Sequence, residues 1–338
     1  MNMIKSLLMI VVLTIGLATA FANKPEVIVL GTGGTISAVS DSGSNTSSIY
    51  TAGKVSVLDL IKPITSKFTG VKFKAEQVFN KDSGNITYKD IRDLALVVKK
   101  YNDDKNIRAI VITHGTDTMQ ETAYFLFLTI QPKKPIVIVG SMRSSDQLSS
   151  DGAMNLYDAI SVGLSGHKHV MVVMNDNIYS AKYVQKMNTT NVDAFKQGRL
   201  GTVTDGKVEF FTYHPEKYYK IPGESVPKVV IASTWEGMPS DSLDYLLEDK
   251  GLKGLVVAGL GDGNIPSDVW SVISKLTKKG VVVIRSSRVP SGENTYNYNN
   301  LDDKLGTIPS YFMTPDKARI KLELELNNQN TSSSKAKK

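Results

Sequence analysis

Three short motifs place hydroxyl, carboxylate and amine side chains next to glycines, a combination that can bind and attack a small polar substrate. The first motif is GTGGTIS, residues 31–37. Its glycines allow close backbone approach to a ligand and expose the hydroxyls of Thr32, Thr35 and Ser37. A dinucleotide-binding fingerprint would need a third glycine or alanine at Ile36, so the motif does not indicate a nucleotide cofactor. Taken alone, such a motif is more often a tight structural turn.

The second motif is THGTDT, residues 113–118. Its Thr116 or Asp117 can simply cap the helix that is predicted to follow. In the functional interpretation, helix N–H groups and hydroxyls converge there on a substrate with developing negative charge, and Asp117 binds a substrate ammonium group. His114 suggests a Ser–His–Asp scheme, but the chain lacks the Gly-x-Ser-x-Gly nucleophile elbow, so we interpret His114 as structural.

The third motif is YVQKMNTT, residues 183–190, in which Lys186 is the candidate base. Most lysines are solvated surface charges, and that is the structural alternative for Lys186. A desolvated lysine has a lowered pKa and can take a proton from a threonine hydroxyl, which is a weak nucleophile at neutral pH without such help. Because the sequence shows no metal-ligand spacing and no phosphate loop, we expect catalysis without a cofactor.

The elements that must position these motifs alternate between short apolar runs and amphipathic segments. Continuous apolar runs predict strands that are buried on both faces. Such runs lie at Val27–Leu30, Ala109–Thr113, Pro135–Gly140, Val170–Met174, Val229–Ala232, Gly254–Ala258 and Val281–Ile284. Helices are predicted at Thr87–Tyr101, Thr118–Ile130, Asp151–Leu164, Ser240–Glu248 and Ser267–Lys278. The alternation predicts an α/β fold with mostly parallel, doubly wound sheets, whose ligands bind at the carboxyl ends of strands, where all three motifs fall.

Domain boundaries follow from breaks in this alternation. Prolines, tyrosines and charges interrupt it in residues 204–227, which predicts a linker. The linker joins a larger N-terminal α/β domain, residues 23–203, to a smaller C-terminal α/β domain, residues 228–326. Residues 327–338 are polar and serine-rich, which predicts a disordered tail.

Residues 1–22 have the pattern of a secretory signal peptide. Lys5 precedes an apolar run from Leu7 to Leu17, and the sequence AFA at residues 20–22 fits a small-x-small cleavage site. The run is too short for a comfortable membrane span, and an uncleaved N-terminal anchor is the alternative. We therefore expect cleavage, a periplasmic location and no membrane association of the mature protein.

Composition excludes several classes of site. The 338 residues contain no cysteine, which excludes disulfides, zinc–thiolate sites, iron–sulfur clusters and cysteine nucleophiles. An exported chain without cysteines fits a periplasm-like compartment, where the fold depends on packing. The formal charge of +7 is modest and no basic stripe with interleaved aromatics occurs, so nucleic-acid binding is not indicated.

In their order along the chain, these motifs resemble those of the bacterial type II L-asparaginases of the asparaginase/glutaminase family. The resemblance runs over nearly the whole chain, from Val27 to Leu324. The matching segments are LGTGGTI at residues 30–36, YTAGKV at 50–55, ITHGTDTM at 112–119, VMND at 173–176, NTT at 188–190 and RSSRVP at 285–290. Several long motifs in the same order are a specific signal, whereas any one of them alone is weak.

The resemblance implies hydrolysis of the side-chain amide of L-asparagine to L-aspartate and ammonia. By this resemblance, Thr35 is the nucleophile that forms an aspartyl-enzyme. Tyr50 is its partner on a flexible loop that closes over the substrate. Thr116 is the second catalytic threonine, and Lys186 and Asp117 complete a threonine–lysine–aspartate group with it.

The resemblance also implies the substrate-binding residues and the assembly. Ser83 falls where the family binds the substrate α-carboxylate, and Asp117 falls where it binds the α-ammonium group, beside Gly84 and Thr116. Asn264 matches a residue that the neighbouring subunit contributes to the site. Members of the family are typically homotetramers whose sites lie between subunits, and we expect the same of this chain.

Two positions depart from the family pattern. The family usually has Gln or Glu after the serine, where this chain has Gly84. We expect weak glutaminase activity, because the longer glutamine most needs the lost polar contact. A glutamate that the family supplies from the partner subunit aligns with Asn299, so either Glu293 or Asp302 replaces it through a local shift, or substrate recognition differs.

Two alternative functions stay open. A mixed glutaminase–asparaginase is the nearer one. From a different class, a non-catalytic periplasmic amino-acid-binding protein would share the signal peptide and the two linked α/β domains. Such a protein is usually monomeric and would need neither the paired threonine motifs nor Lys186.

Overall fold

The computed structural model describes residues 24–40, 50–204, 206–210, 218–290, 294–311 and 313–335, except the side chains of Tyr50 and of residues 330–335. The predicted signal peptide, residues 1–22, lies outside these ranges. Within them, no helix is both long enough and apolar enough to cross a bilayer.

The N-terminal part of the chain alternates strands and helices. Its strands are β1 (Glu26–Gly33), β2 (Val39–Ser40), β3 (Tyr50–Thr51), β4 (Lys72–Lys81), β5 (Ile107–Thr113), β6 (Ile136–Val139), β7 (Val170–Met174), β8 (Asn177–Ser180), β9 (Gln185–Lys186), β10 (Phe195–Lys196), β11 (Arg199–Thr204) and β12 (Lys207–Phe210). Its helices are α1 (Val57–Thr65), α2 (Tyr88–Asp103), α3 (Met119–Thr129) and α4 (Gly152–Leu164). Short 3₁₀ turns at Thr35–Ser37 and Ser83–Asn85 follow β1 and β4.

The main sheet is parallel in the part that carries the motifs. Among the described residues its order is β12-β11-β8-β7-β6-β5-β1-β4. The strands from β7 to β4 in this order pair in parallel, and β8, β11 and β12 pair antiparallel. The carboxyl ends of β4, β1 and β5 therefore meet at one edge of the sheet, where the loops that follow them can converge.

Both faces of this sheet are covered by helices. Ile28 and Leu30 of β1 pack in one apolar cluster with α2 and α3. Val27 and Val29 of the same strand pack in a second cluster with α1 and α4. Because successive side chains of a strand point to opposite faces, a strand between two helical layers must be apolar at every position. This explains the continuous apolar run in β1 and confirms the predicted α/β fold.

A smaller sheet follows. Its strands are β13 (Lys228–Ser233), β14 (Leu252–Gly259), β15 (Val282–Ser287) and β16 (Thr307–Pro309), and within the described ranges they pair in parallel in that order. The helices around it are α5 (Tyr245–Glu248), α6 (Trp270–Lys278), α7 (Leu301–Leu305) and α8 (Pro315–Lys335), with 3₁₀ turns at Ser267–Val269 and Tyr298–Asn300.

Helix α8 contributes to the cores of both sheets. Its Ile320 and Leu324 belong to the apolar cluster that contains α2 and α3 of the N-terminal part. Its Ala318 and Leu322 belong to a cluster with Val229, Val256 and Ile284 of the smaller sheet. The last helix of the chain therefore packs simultaneously on the large and the small sheet.

Two elements run through segments that the sequence predicts to be irregular. Strand β12 lies inside the predicted linker, residues 204–227, and pairs with β11. Its Val208 and Phe210 pack on the N-terminal core while Lys207 and Glu209 are exposed, a two-residue alternation that the nearby prolines and tyrosines obscure. Helix α8 continues into the predicted disordered tail, residues 327–338, because each residue added to an established helix gains a backbone hydrogen bond.

The helix predicted at Ser240–Glu248 is wrong in its first half. Only Tyr245–Glu248 are α-helical. Before them, the backbone makes separate turns in which the amides of Ser242 and Asp244 donate to the carbonyls of Pro239 and Asp241. Serine and aspartate side chains compete with helical backbone bonds and favour such turns.

A buried ion pair joins the smaller sheet to α7. The side chains of Arg285 and Asp302 are 0% and 1% exposed, and two guanidinium nitrogens each donate at 2.8 Å to the carboxylate. Arg285 also donates to the carbonyls of Asp262 and Thr295, and Asp302 also accepts from Thr307. These hydrogen bonds offset the desolvation of the two charges, because burying an unpaired charge would cost several kcal/mol.

We expect Asp302→Ala to lower the free energy of unfolding by about 3–5 kcal/mol, because it leaves a buried guanidinium without its counter-ion. Urea denaturation of the purified protein measures this loss. The neighbouring Asp303 is exposed, so Asp303→Ala serves as the control and should cost less than about 1 kcal/mol. Equal losses in the two variants would contradict the assigned role of the buried pair.

Candidate active site

The loop after β1 touches the loop after β5 backbone to backbone. Gly34 has φ = 80°, in the left-handed region, and a Cβ added there would lie 2.2 Å from the Cα of Gly115. Any side chain at Gly34 would therefore push the two loops apart. The contact brings the turn that contains Thr35 against the segment that leads into Thr116.

The loop after β4 joins the same junction through Ser83. The Ser83 hydroxyl accepts from the backbone amide of Asp117 at 3.2 Å, and the Ser83 carbonyl accepts from the Thr118 hydroxyl at 3.0 Å. A Cβ added at Gly115 would lie 2.6 Å from the Ser83 hydroxyl oxygen. Residues 34–35, 83 and 115–118, which follow three adjacent strand ends, therefore form one compact site.

The candidate hydroxyls of this site are buried in protein. Thr35 is 8% exposed, Thr116 is 5% exposed and Ser83 is 2% exposed. The backbone around Thr35 is closed by its own turn, in which the amide of Ala38 donates to the Thr35 carbonyl at 2.9 Å. Short side chains on such tight turns have little freedom to move, so their oxygens are held in defined directions.

Lys186 reaches this junction from β9. Its Nζ donates to the Thr116 hydroxyl oxygen at 2.9 Å and to a carboxylate oxygen of Asp117 at 2.7 Å. The Lys186 side chain is 17% exposed, whereas that of Asp117 is 65% exposed. At these distances a proton can pass between the threonine hydroxyl and the amine, while the open carboxylate can meet a cation from solvent.

Tyr50 is tied to this region through its backbone. It pairs with Ser40 in the short ladder between β2 and β3. The following segment is held by the amide of Val55, which donates to the carbonyl of Ser37 at 2.9 Å. The side chain of Tyr50 lies outside what the structure describes, so its predicted role stays a prediction.

Asn264 lies in the tight turn after β14, where it bridges back to Leu260. Its side-chain oxygen accepts from the side-chain amide of Asn299 at 3.3 Å. The two residues that the resemblance assigns to a neighbouring subunit's site are thus adjacent. Of the two proposed replacements for the family glutamate, Asp302 is wrong because its carboxylate is buried against Arg285. Glu293 lies outside the described residues.

His114 is fully buried beneath these loops. Its Nδ1 lies 2.7 Å from the Gly115 carbonyl oxygen, and its Nε2 has no hydrogen-bond partner in the described part of the chain. Burial lowers the pKa of His114 to about 4, so the ring is neutral at physiological pH. This geometry supports the structural interpretation of His114.

Sequence reasoning missed Gln120. Its side-chain oxygen accepts from the backbone amide of Lys186 at 2.8 Å. A detectable signal was its position three residues after Asp117, as an amide in the first turn of a helix that is apolar from Ala123 to Leu128. Among the described residues, no group of three or more histidine and acidic side chains is arranged to hold a metal ion.

Two family models match the chain. A model described as Asparaginase, N-terminal, matches residues 26–216, and one described as Glutaminase/Asparaginase C-terminal domain matches residues 228–338. The chain belongs to the asparaginase/glutaminase family. This membership confirms the resemblance that the motifs carry.

Individual members of the asparaginase/glutaminase family are similar over most of their length. The chain is 38% identical over 329 residues to L-asparaginase 2 of Escherichia coli (strain K12), covering 93% of this chain and 92% of the relative. It is 37% identical over 327 residues to a probable periplasmic L-asparaginase of Haemophilus influenzae, covering 92% of each. A crystal structure of a probable cytoplasmic L-asparaginase from Campylobacter jejuni matches with a TM-score of 0.83 and 39% identity, covering 90% and 95% of the two chains.

The buried neutral His114 predicts a specific pH dependence of stability. Unfolded histidine binds a proton below its ordinary pKa of about 6.5, whereas folded His114 resists protonation down to a pH of about 4. Its contribution to stability is therefore intact at neutral pH and is lost as the pH falls through this window, by about 3 kcal/mol.

The measurement compares the unfolding free energies of the wild type and His114→Leu by urea denaturation between pH 7.5 and 4. We expect the stability of the wild type relative to the variant to decrease by about 3 kcal/mol across this range. A difference that does not change with pH would rule out a neutral, buried His114.

Proposed function

We propose that this protein is an L-asparaginase that hydrolyses the side-chain amide of L-asparagine to L-aspartate and ammonia. One observation carries the proposal: the Lys186 amine bridges the Thr116 hydroxyl and the Asp117 carboxylate, next to the turn that holds Thr35. The family membership of the whole chain supports the same reaction.

In the proposed mechanism the Thr35 hydroxyl oxygen attacks the amide carbon of the substrate. The amide nitrogen leaves as ammonia after it gains a proton, and the acyl group stays on Thr35 as an aspartyl ester. Water then attacks the ester, which releases L-aspartate and restores the hydroxyl. Lys186 relays protons through Thr116 in both steps, because its amine is within hydrogen-bond distance of that hydroxyl.

Asp117 and Ser83 hold the amino-acid head of the substrate in this proposal. The largely exposed carboxylate of Asp117 is suited to the α-ammonium group, and its charge makes that hydrogen bond strong. Ser83 binds the α-carboxylate beside it. Thr116 lines the same site, and Tyr50 closes over the substrate on its loop.

The active protein in this proposal is a homotetramer. By the family resemblance, Asn264 and Asn299, whose side chains share a hydrogen bond at 3.3 Å, reach the site of a neighbouring subunit. The location that we propose is periplasmic, and it rests on the signal-peptide pattern of residues 1–22. One relative is named periplasmic and the similar crystal structure is named cytoplasmic, so the relatives occupy both kinds of compartment.

Glutamine is a weaker substrate than asparagine in this proposal, because Gly84 contributes no side chain to the substrate head. The mixed glutaminase–asparaginase is the second candidate, favoured by the matching C-terminal family model, whose description names both activities. A non-catalytic binding protein would have no use for the Lys186–Thr116 contact.

We expect mature wild-type protein to release ammonia from L-asparagine and Thr35→Ala to lose at least about 1000-fold in kcat, since the attacking oxygen is removed. Ammonia release and native mass are measured together. The control is Thr32→Ala, which removes a nearby hydroxyl at the end of β1, where it donates to the Thr113 carbonyl at 2.8 Å. Binding of asparagine without turnover by a folded monomer would instead identify a binding protein.

Gly84→Gln should raise kcat/KM for L-glutamine about tenfold relative to L-asparagine, the value of one hydrogen bond to a charged group. The site has room, because a Cβ at Gly84 would meet only Asp82, at 3.8 Å. Gly223→Gln is the matched control, since its Cβ would meet no heavy atom within 4 Å. Comparable kcat/KM values for the two amides in the wild type would contradict the proposed specificity.

A further inference from the structure

Lys186 is not held in place by its own strand. Strand β9 contains only Gln185 and Lys186, and it pairs with the equally short β10 in a separate two-stranded ladder. A ladder of two residues in each strand contributes little backbone pairing of its own. The amine must nevertheless stay within 2.9 Å of the Thr116 hydroxyl oxygen. Other contacts therefore have to fix the backbone around Lys186.

The first such contact runs through Gln120. Its side-chain oxygen accepts from the Lys186 backbone amide at 2.8 Å, and its side-chain nitrogen donates to the carboxylate of Asp316 at 2.8 Å. Gln120 is only 8% exposed. The donor to Asp316 fixes the orientation of the amide group, so the oxygen faces Lys186.

The second contact is made by Lys317, the next residue of α8. Its Nζ donates to the carbonyl of Val184 at 2.5 Å, two residues before Lys186, and the side chain is 1% exposed. Burial lowers the pKa of Lys317 to about 8, while Asp316 opposes this shift. A methionine would fill the same space without the cost of burying an amine, so the hydrogen bond to Val184 is the evident use of this lysine.

Asp316 and Lys317 are themselves firmly held. They lie in the first turn of α8, whose next apolar residues pack into both cores, Ile320 on the N-terminal side and Ala318 and Leu322 on the smaller sheet. The start of α8 is therefore a rigid support for the segment 184–186.

We propose that Asp316 and Lys317 are positioning residues, which hold the catalytic amine of Lys186 against Thr116 by way of Gln120 and the Val184 carbonyl. This inference rests on the proposed function, in which Lys186 relays protons. It assigns a task in catalysis to α8, to which the proposed function gives no contact with the substrate.

The test measures kcat and KM for L-asparagine with Lys317→Met and Gln120→Glu. Displacement of a catalytic group by about 1 Å can cost about 100-fold in rate, so we expect kcat to fall about 10- to 100-fold with KM changed less than about threefold. In Gln120→Glu the new carboxylate has no donor for Asp316 and the two groups repel. Adding Asp316→Asn supplies that donor and should restore most of the lost kcat, although the new charge at position 120 remains.

Arg319→Met is the matched control on the same helix. It also removes one positive charge, but it breaks ion pairs with Glu121 and Glu323 and leaves Gln120 and Val184 untouched. We expect it to lower thermal stability with kcat within twofold of the wild type. The inference is overturned if Lys317→Met and Gln120→Glu also keep kcat within twofold, or if Arg319→Met loses as much. If Lys317→Met does not fold, the test rests on Gln120→Glu: the inference is overturned if adding Asp316→Asn does not restore the kcat that Gln120→Glu loses.

Hydrogen exchange separates this inference from the proposed function. The Lys186 amide is protected by Gln120, so exchange in a peptide that covers residues 184–188 should speed up in Lys317→Met and Gln120→Glu but not in Arg319→Met. Faster exchange with a wild type that releases no ammonia would disprove the proposed function and leave the support by α8 intact. If the exchange of residues 184–188 is unchanged in the variants and the wild type releases ammonia, only the inferred support by α8 is disproved.

Discussion

The contact between Gly34 and Gly115 is the constraint on which the site depends. Two backbones can lie this close only where neither residue has a side chain. The parallel sheet brings the loops after β1, β4 and β5 to one edge. The contact between the two glycines then closes the gap between the loop after β1 and the loop after β5. Short hydroxyl side chains such as those of Thr35 and Thr116 can then meet a common substrate, whereas longer side chains would be needed if the loops stood further apart.

The exposure of charged side chains differs between the buried ion pair of the smaller sheet and the candidate active site. Arg285 and Asp302 are fully buried and are hydrogen-bonded to each other and to neighbouring groups, which stabilises the smaller sheet. Lys186 is largely buried on the side of Thr116, while the carboxylate of Asp117 opens to solvent. In the proposed mechanism, this difference in exposure leaves the Asp117 carboxylate accessible to a charged substrate and limits the contact of the Lys186 amine with water.

The sequence predicts the parts of this protein that are governed by local patterns. Continuous apolar runs predict β1 and β5 because a strand between two helical layers has no polar face. Two of the three motifs predict where Thr35 and Thr116 lie, since these residues follow the ends of β1 and β5. The link from α8 was not predictable, because Gln120 is nearly two hundred positions away from its partner and no local periodicity encodes that distance.

The sharing of α8 between two cores has a consequence for the order in which the protein is built. A ribosome makes residues 315–335 after the strands of both sheets, so the N-terminal core lacks Ile320 and Leu324 until they emerge. The N-terminal core therefore completes its packing only after the smaller sheet has been made. Because α8 packs on both sheets, its docking completes both cores in a single step.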